Sequence, residues 1–204
     1  RVVHAERPPF RSVLFDRQLL RLNLGIFVLH ATQMAMFVVV PVMLVEADGL
    51  PVAQHWKIYL PVVIASFAVM IPLIIAAEKH GLMKRIFLFA IALLCAVQVA
   101  FSQASSLFWI VGLLFAFFVA FNVLEASLPS IISRVVHPSA KGAALGVYNT
   151  TQAVGVSVGG LLGGWVAKNV GQGAVFETTA VLVLIWLIAA VGLQVPARTH
   201  KKSV

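Results

Sequence analysis

The hydrophobic residues of this chain are gathered into six long runs separated by short polar segments. Each run is close to the roughly 20 residues that an α-helix needs to cross about 30 Å of hydrocarbon. The segments between them carry turn residues, as in Asp48-Gly49-Leu50-Pro51 and Gly171-Gln172-Gly173. The pattern predicts an all-α membrane protein with six transmembrane helices, at Leu20–Val45, Trp56–Ala77, Arg85–Gln103, Leu107–Ser133, Lys141–Lys168 and Ala174–Val195.

Lysine and arginine are concentrated in every second polar segment along the chain. The segments between these basic ones contain only Lys57 and Lys168. Cytoplasmic loops are enriched in basic residues, so the alternation predicts that the basic segments and both termini are cytoplasmic. We expect a cytoplasmic linker at residues 1–19, a helix bundle at 20–195 and a cytoplasmic tail at 196–204. The basic segments contain Arg1, Arg7, Arg11, Arg17, Arg21, Lys79, Lys84, Arg85, Arg134, Lys141, Arg198, Lys201 and Lys202.

Composition agrees with a chain whose main solvent is lipid. Of 204 residues, 61% are hydrophobic and only 11% are charged, too few charges to coat a soluble domain. The net charge of +8 is divided among loops and forms no single face, which argues against a nucleic-acid partner. The single cysteine, Cys95, lies inside an apolar run, so the sequence predicts no disulfide, no metal site and no cofactor.

The spacing of the runs suggests an internal repeat. Runs one to three begin at residues 20, 56 and 85, and runs four to six begin at 107, 141 and 174. Three crossings is an odd number, so the second triplet would enter the membrane from the opposite side. We therefore expect two inverted three-helix repeats, which is the plan of half a major facilitator fold.

Polar residues at membrane depth are concentrated in runs one, four and five. Such residues cost free energy in lipid, so the first two runs of each triplet, runs one, two, four and five, are expected to line a cavity, while runs three and six face lipid. The candidates for substrate contact or for the cavity wall are His30, Gln33, Asn122, Asn149 and Gln152. His30 in particular is interpreted either as a cavity contact or proton relay, or as a histidine hydrogen-bonded between packed helices.

Glu125 is the only acidic residue well inside a run, about 12 Å from its Ser133 end. Asn149 lies at a similar depth in the next run, so the two side chains could meet. One hypothesis makes Glu125 a proton-coupling carboxyl; another makes it a hydrogen-bonded latch between runs four and five; a third makes it a substrate contact.

Run five contains half of the chain's 14 glycines. They form two overlapping small-residue registers, Gly155-Gly159-Gly163 and Gly160-Gly164, which favour close helix packing. Residues 155–159 also match the G-x-S-x-G pattern of serine hydrolases, but that pattern needs a strand-to-helix turn and a histidine base. We expect helix packing here, and no enzyme activity.

Several stretches resemble the C-terminal half of major facilitator superfamily transporters, and among these the drug-efflux-like group of YajR-type proteins. They are Arg21–Ile26, Gln54–Leu60, Phe117–Ser133 and Lys141–Trp165, with F-N-x-x-E-A-x-L-P-S the most specific. The resemblance implies a secondary transporter of the bacterial inner membrane that alternates access around a central cavity. Its partners would be the bilayer, protons, a small-molecule substrate and an N-terminal six-helix half.

The chain departs from this family pattern in the loop after the second run. Glu78 and Gly81 keep the acid and the glycine of the family's signature loop, but Leu82 and Met83 replace the basic residues that follow. On the resemblance, the first six helices and a small C-terminal domain would be missing. The alternative is a self-sufficient six-helix channel or regulatory subunit, although no T-V-G-Y-G-like filter is present.

Overall fold

The computed structural model describes residues 10–196, which form one short and six long helices. The predictions for residues 1–9 and 197–204 lie outside the described residues. Short 3-10 turns at Val52–Gln54 and Pro138–Ala140 precede two of the long helices, and residues 10–196 contain no β-strand. The helices are α1 (Phe10–Leu14), α2 (Arg17–Asp48), α3 (Trp56–Lys79), α4 (Met83–Phe101), α5 (Leu107–Val135), α6 (Lys141–Asn169) and α7 (Gln172–Val191).

The six long helices correspond to the six hydrophobic runs, and the chain is an all-α membrane protein. Five of them are both long enough and apolar enough to cross a bilayer. The remaining helix, α6, has 29 residues, but its glycines and polar side chains keep it below the hydropathy of the others. A helix that packs closely on protein needs less apolar surface than one surrounded by lipid.

Local hydrogen bonds set the helix ends more closely than hydropathy does. Helix α2 begins at Arg17, before the apolar run, because the Asp16 carboxylate accepts the N–H groups of Gln18 and Leu19 at 2.8 and 2.9 Å. It ends where Gly49 adopts a left-handed φ of 62° and its N–H donates to the Val45 carbonyl.

The bundle has two helices at its centre and two on each flank. Helices α2 and α5 contact each other in the middle; α6 packs along α2, and α3 packs along α5. Helices α4 and α7 pack against each other, α4 also on α5 and α7 also on α2. Trp186 of α7 is fully buried, with its indole against Gly25 and its ring 6.0 Å from that of Phe87.

Polar side chains join the helices at both ends of the bundle. At the end where α2 begins, which we call the basic end, Arg21 donates to the Gly192 carbonyl and Arg134 forms an ion pair with Glu78. At the opposite end, Gln172 donates to Glu46 at 3.2 Å. The first and third contacts join the antiparallel helices α2 and α7, whereas the ion pair joins the C-terminal ends of the parallel helices α3 and α5.

Candidate functional site

The two central helices, α2 and α5, and the flanking helix α6 bring an imidazole, a carboxylate and an amide together at membrane depth. His30 Nε2 lies 2.8 Å from Gln152 Nε2 and 3.8 Å from Glu125 Oε2. His30 is only 6% exposed, whereas the Glu125 side chain is 37% exposed. The carboxylate therefore lies where the buried cluster opens, and we call His30, Glu125 and Gln152 the polar cluster.

The contacts of His30 fit a neutral ring with its hydrogen on Nδ1. Its Nδ1 lies 3.2 Å from the Ile26 carbonyl, which can only accept, so Nδ1 carries a hydrogen. The Gln152 amide nitrogen can only donate, so Nε2 is the acceptor and the ring is neutral in this arrangement. A proton added at Nε2 would require the Gln152 amide to rotate, and would give Glu125 an adjacent positive charge.

Two buried oxygens next to the cluster have no hydrogen-bond partner within the described residues. They are Glu125 Oε2 and the hydroxyl of Tyr148, which lies one turn before Gln152 on α6. Unpaired buried oxygens are costly, so this is a place suited to a proton, a water molecule or a ligand group.

Asn122 lies one turn from Glu125 on α5, but it faces a different helix. Its amide donates to the Ser66 hydroxyl at 2.8 Å, and Ser66 donates to the Val63 carbonyl at 2.7 Å. The bond joins α5 to α3, whose only fully buried polar side chain in the span is Ser66. Ser66 and Tyr148 were not among the predicted site residues, although the burial cost of Ser66 in an apolar run was a usable signal.

Asn149 is not part of the polar cluster. Its side chain is exposed and makes no hydrogen bond with any described residue, so the expected meeting with Glu125 is not seen. Successive helical residues point about 100° apart, so the inward direction of Tyr148 turns Asn149 away. The position of a residue along a helix does not determine the direction in which its side chain points.

Gln33 lines an open groove of about 490 Å³ between α2, α3 and α5. The groove lies toward the opposite end from the basic end, beyond His30 on α2. Its walls are mostly aromatic and aliphatic, and the Tyr59 hydroxyl within it is buried with no hydrogen-bond partner among residues 10–196. The lining residues are Gln33, Phe37, Pro41, Tyr59, Val63 and Phe118.

The glycines of α6 are divided between two environments. A Cβ on Gly155 would lie 2.6 Å from the Phe27 carbonyl oxygen, and one on Gly163 would lie 2.6 Å from the Ala35 Cα. Gly159 sits between them against the Ala31 carbonyl. Gly160 and Gly164, in contrast, have no atom of the described chain within 4 Å of such a Cβ. The first register is therefore the one on which α2 and α6 approach.

The serine of the hydrolase-like pattern lies in the middle of α6. Ser157 is exposed and donates to the Ala153 carbonyl one turn earlier at 3.0 Å, as helical serines do. Within residues 10–196, no three histidine, cysteine, aspartate or glutamate side chains are grouped as metal ligands would be. Cys95 is a free thiol directed at the Ala180 carbonyl, 3.5 Å away.

The sequence is similar to known membrane transporters along most of its length. Over 189 residues it is 41% identical to the inner membrane transport protein YajR of Escherichia coli K12, covering 92% of this chain and 41% of that protein. It is 29% identical over 161 residues to an uncharacterized transporter of Buchnera aphidicola from Acyrthosiphon pisum, covering 78% of this chain and 40% of the relative. The chain thus spans less than half the length of these relatives.

A family model extends the same conclusion to the bundle as a whole. The model of the Major Facilitator Superfamily matches residues 22–204, which include all six long helices except the first turns of α2. The names of the relatives and the family describe transporters rather than enzymes. This chain belongs to the major facilitator superfamily of membrane transporters.

Proposed function

We propose that this chain is the C-terminal half of a secondary transporter that exports small molecules in exchange for protons by alternating access. It would work only together with an N-terminal six-helix half, since the cavity of such transporters forms between two bundles. The membership of the family and the coverage of less than half of each relative support this proposal. The name of the Escherichia coli relative supports a location in the inner membrane.

The helix pairing supports the proposed inverted repeats. Exchanging α2 with α5, α3 with α6 and α4 with α7 converts the α2–α6 contact into the α5–α3 contact. The same exchange converts α2–α7 into α5–α4, and leaves the α2–α5 and α4–α7 contacts unchanged. Two copies of one three-helix unit, related by a two-fold axis in the membrane plane, would produce this symmetry.

The polar cluster is the observation on which proton coupling rests. A carboxylate at membrane depth is tolerated when it is protonated, paired or open to water. Glu125 can be all three in turn, because its carboxylate is partly exposed and His30 Nε2 lies 3.8 Å away. The hydrogen bond between His30 and Gln152 would rearrange whenever the polar cluster gains or loses a proton. Protonation would in this way be linked to the α2–α6 contact.

The proton role is tested with the isosteric variant Glu125→Gln in the full-length protein from the same gene. We expect the purified variant to exchange about one proton fewer than wild type after a pH jump, read with a soluble indicator dye, since an amide does not titrate. A carboxyl band in the infrared difference spectrum should disappear with it. The jump runs between about pH 6 and 8, above the range in which exposed carboxyl groups exchange protons, so Glu177→Gln, which removes an exposed acid near the opposite end, should leave the count unchanged and is the matched control.

An unchanged proton count combined with a lower melting temperature would favour the latch hypothesis for Glu125. The dependence on a second half is tested separately, by placing the purified 204-residue chain in liposomes. We expect no solute flux above that of empty vesicles. Flux through this chain alone would favour the rival hypothesis of a self-sufficient channel.

A further inference from the structure

Helices α2, α5, α4 and α7 pack in a ring, each against the next, and enclose a shared core. Trp186 marks the place where α7 meets both of its neighbours in this ring. Its indole lies against Gly25 of α2, and its ring lies 6.0 Å from that of Phe87 on α4. A residue of α7 on the same face as Trp186 therefore points between α2 and α4.

Two buried threonines repeat this contact at a second level of the core. Thr179 lies seven residues before Trp186 on the same face of α7, and Thr32 lies seven residues after Gly25 on the same face of α2. The contacts at the two ends of α2 and α7 make these helices antiparallel, so both steps run about 10 Å toward the end opposite the basic end. The two threonines therefore lie at one level.

Gln98 of α4 reaches this level from the third side. Its amide oxygen accepts a hydrogen bond from the Thr179 hydroxyl at 3.0 Å. Thr32 and Gln98 are 0% exposed, yet Thr32 Oγ1 and Gln98 Nε2 have no hydrogen-bond partner in the part of the chain that the structure describes. Turning the amide over exchanges its oxygen and nitrogen, but still leaves one of the two unpaired.

The chemistry of these unpaired atoms favours a water molecule as the missing partner. Unpaired polar atoms in a dry core cost free energy, and lipid offers them no hydrogen bond. Water can accept from the amide and donate to the hydroxyl at the same time. A metal cation needs more oxygen ligands than the three side chains provide. An anion would find no positive charge, because the lysines and arginines of α2, α4 and α7 all lie at the basic end.

We propose that Gln98, Thr32 and Thr179 form a binding site for one buried water molecule, which bridges Gln98 Nε2 and Thr32 Oγ1. The water would join α2 to α4, which lie on opposite sides of the ring, while Thr179 joins α4 to α7. The site would fix how α4 and α7 are rotated relative to α2. It does not depend on the proposed transport function.

A crystal structure of the full-length protein, at a resolution that shows ordered water, tests the site without any variant. We expect one water molecule within hydrogen-bond distance of both the Gln98 amide nitrogen and the Thr32 hydroxyl. A direct bond between the two side chains, or an empty space between them, would overturn the inference.

The variant Thr32→Val tests the same site through stability, because valine keeps the shape of threonine without its hydroxyl. We expect the melting temperature of the full-length protein to fall by about 2 °C, as for the loss of one buried hydrogen bond. Thr178→Val is the matched control and should have little effect, since that hydroxyl donates to the Ala174 carbonyl of its own helix at 2.7 Å. An unchanged or higher melting temperature for Thr32→Val would show that its hydroxyl has no partner, against the proposal.

The variant Gln98→Met separates a shared water from two independent polar groups. Methionine has a similar length but lacks the amide, so we expect a larger loss than for Thr32→Val, because the bond with Thr179 is lost as well. Adding Thr32→Val to Gln98→Met should then lower the melting temperature little further, since the bridge is already broken. Additive losses would mean that the amide and the hydroxyl share no water molecule, and would refute the site.

Discussion

Gln152 on α6 and His30 on α2 face each other through two nitrogen atoms, 2.8 Å apart. The pair crosses the contact where the glycines of α6 lie against the backbone of α2. Because one nitrogen must donate and the other must accept, the contact exists only with a neutral His30 ring. This one hydrogen bond therefore depends both on the packing of α2 against α6 and on the protonation state of His30.

We expect His30 to be the Nδ1–H tautomer in the resting protein. Nitrogen NMR of the ¹⁵N-histidine-labelled full-length protein, with His30→Asn to assign the signal, distinguishes a protonated Nδ1 from a protonated Nε2. In Gln152→Leu the donor to Nε2 is lost, so the tautomer preference should weaken. A wild-type ring with its hydrogen on Nε2 would contradict the arrangement described.

Gly159 and Gly160 are neighbours that should respond oppositely to the same substitution. Gly159→Ala places a methyl group against the Ala31 carbonyl, so we expect a loss of about 1–3 kcal/mol from overpacking. Gly160→Ala meets no atom within 4 Å, and its better helix propensity should be neutral or add up to roughly 0.5–1 kcal/mol. Thermal unfolding in detergent, followed by circular dichroism, measures both. Equal effects would contradict the packing of α6 through Gly159, and reversed effects would show that α6 packs in the other register.

The Glu78–Arg134 ion pair should contribute to stability at the basic end. Both side chains are largely buried, at 21% and 14% exposure, and Arg134 also donates to Ser130 at 3.0 Å. Removing one partner leaves the other charge with unmet hydrogen bonds, so Glu78→Gln and Arg134→Gln should each cost about 1.5–3 kcal/mol. The double variant should cost less than the sum, and the exposed Lys79→Gln should cost little. Additive losses would mean that the pair is not coupled.

The threading of the helices can be tested with single cysteines in a Cys95→Ser background. Asp48, the last residue of α2, and Lys84, in the first turn of α4, are exposed and lie at helix ends that the alternation of charge assigns to opposite faces. We expect a membrane-impermeant maleimide to label Asp48→Cys on intact cells, and to label Lys84→Cys only after the membrane is opened. Labelling of both from outside would refute the proposed orientation and, with it, the proposed inverted repeats.

The apolar runs alone predicted the six long helices, because lipid forces the backbone of every spanning segment to satisfy its own hydrogen bonds. Helix ends such as Arg17 were less predictable, since they depend on a single capping side chain. His30, Gln152 and Glu125 could be selected as unusual because polar groups in a membrane cost free energy wherever they are. The sequence could not show which of the two glycine registers on α6 packs against another helix.

The sequence by itself determined the number and approximate bounds of the long helices, because hydropathy and helical rise act locally along the chain. Only the tertiary structure decided that Glu125 faces His30 rather than Asn149, and that Asn122 bonds Ser66. Those pairings depend on how each helix is rotated and which neighbour it packs against. Rotation is fixed by close contact between distant segments, as where Gly159 meets Ala31, and that contact is not encoded in any one run.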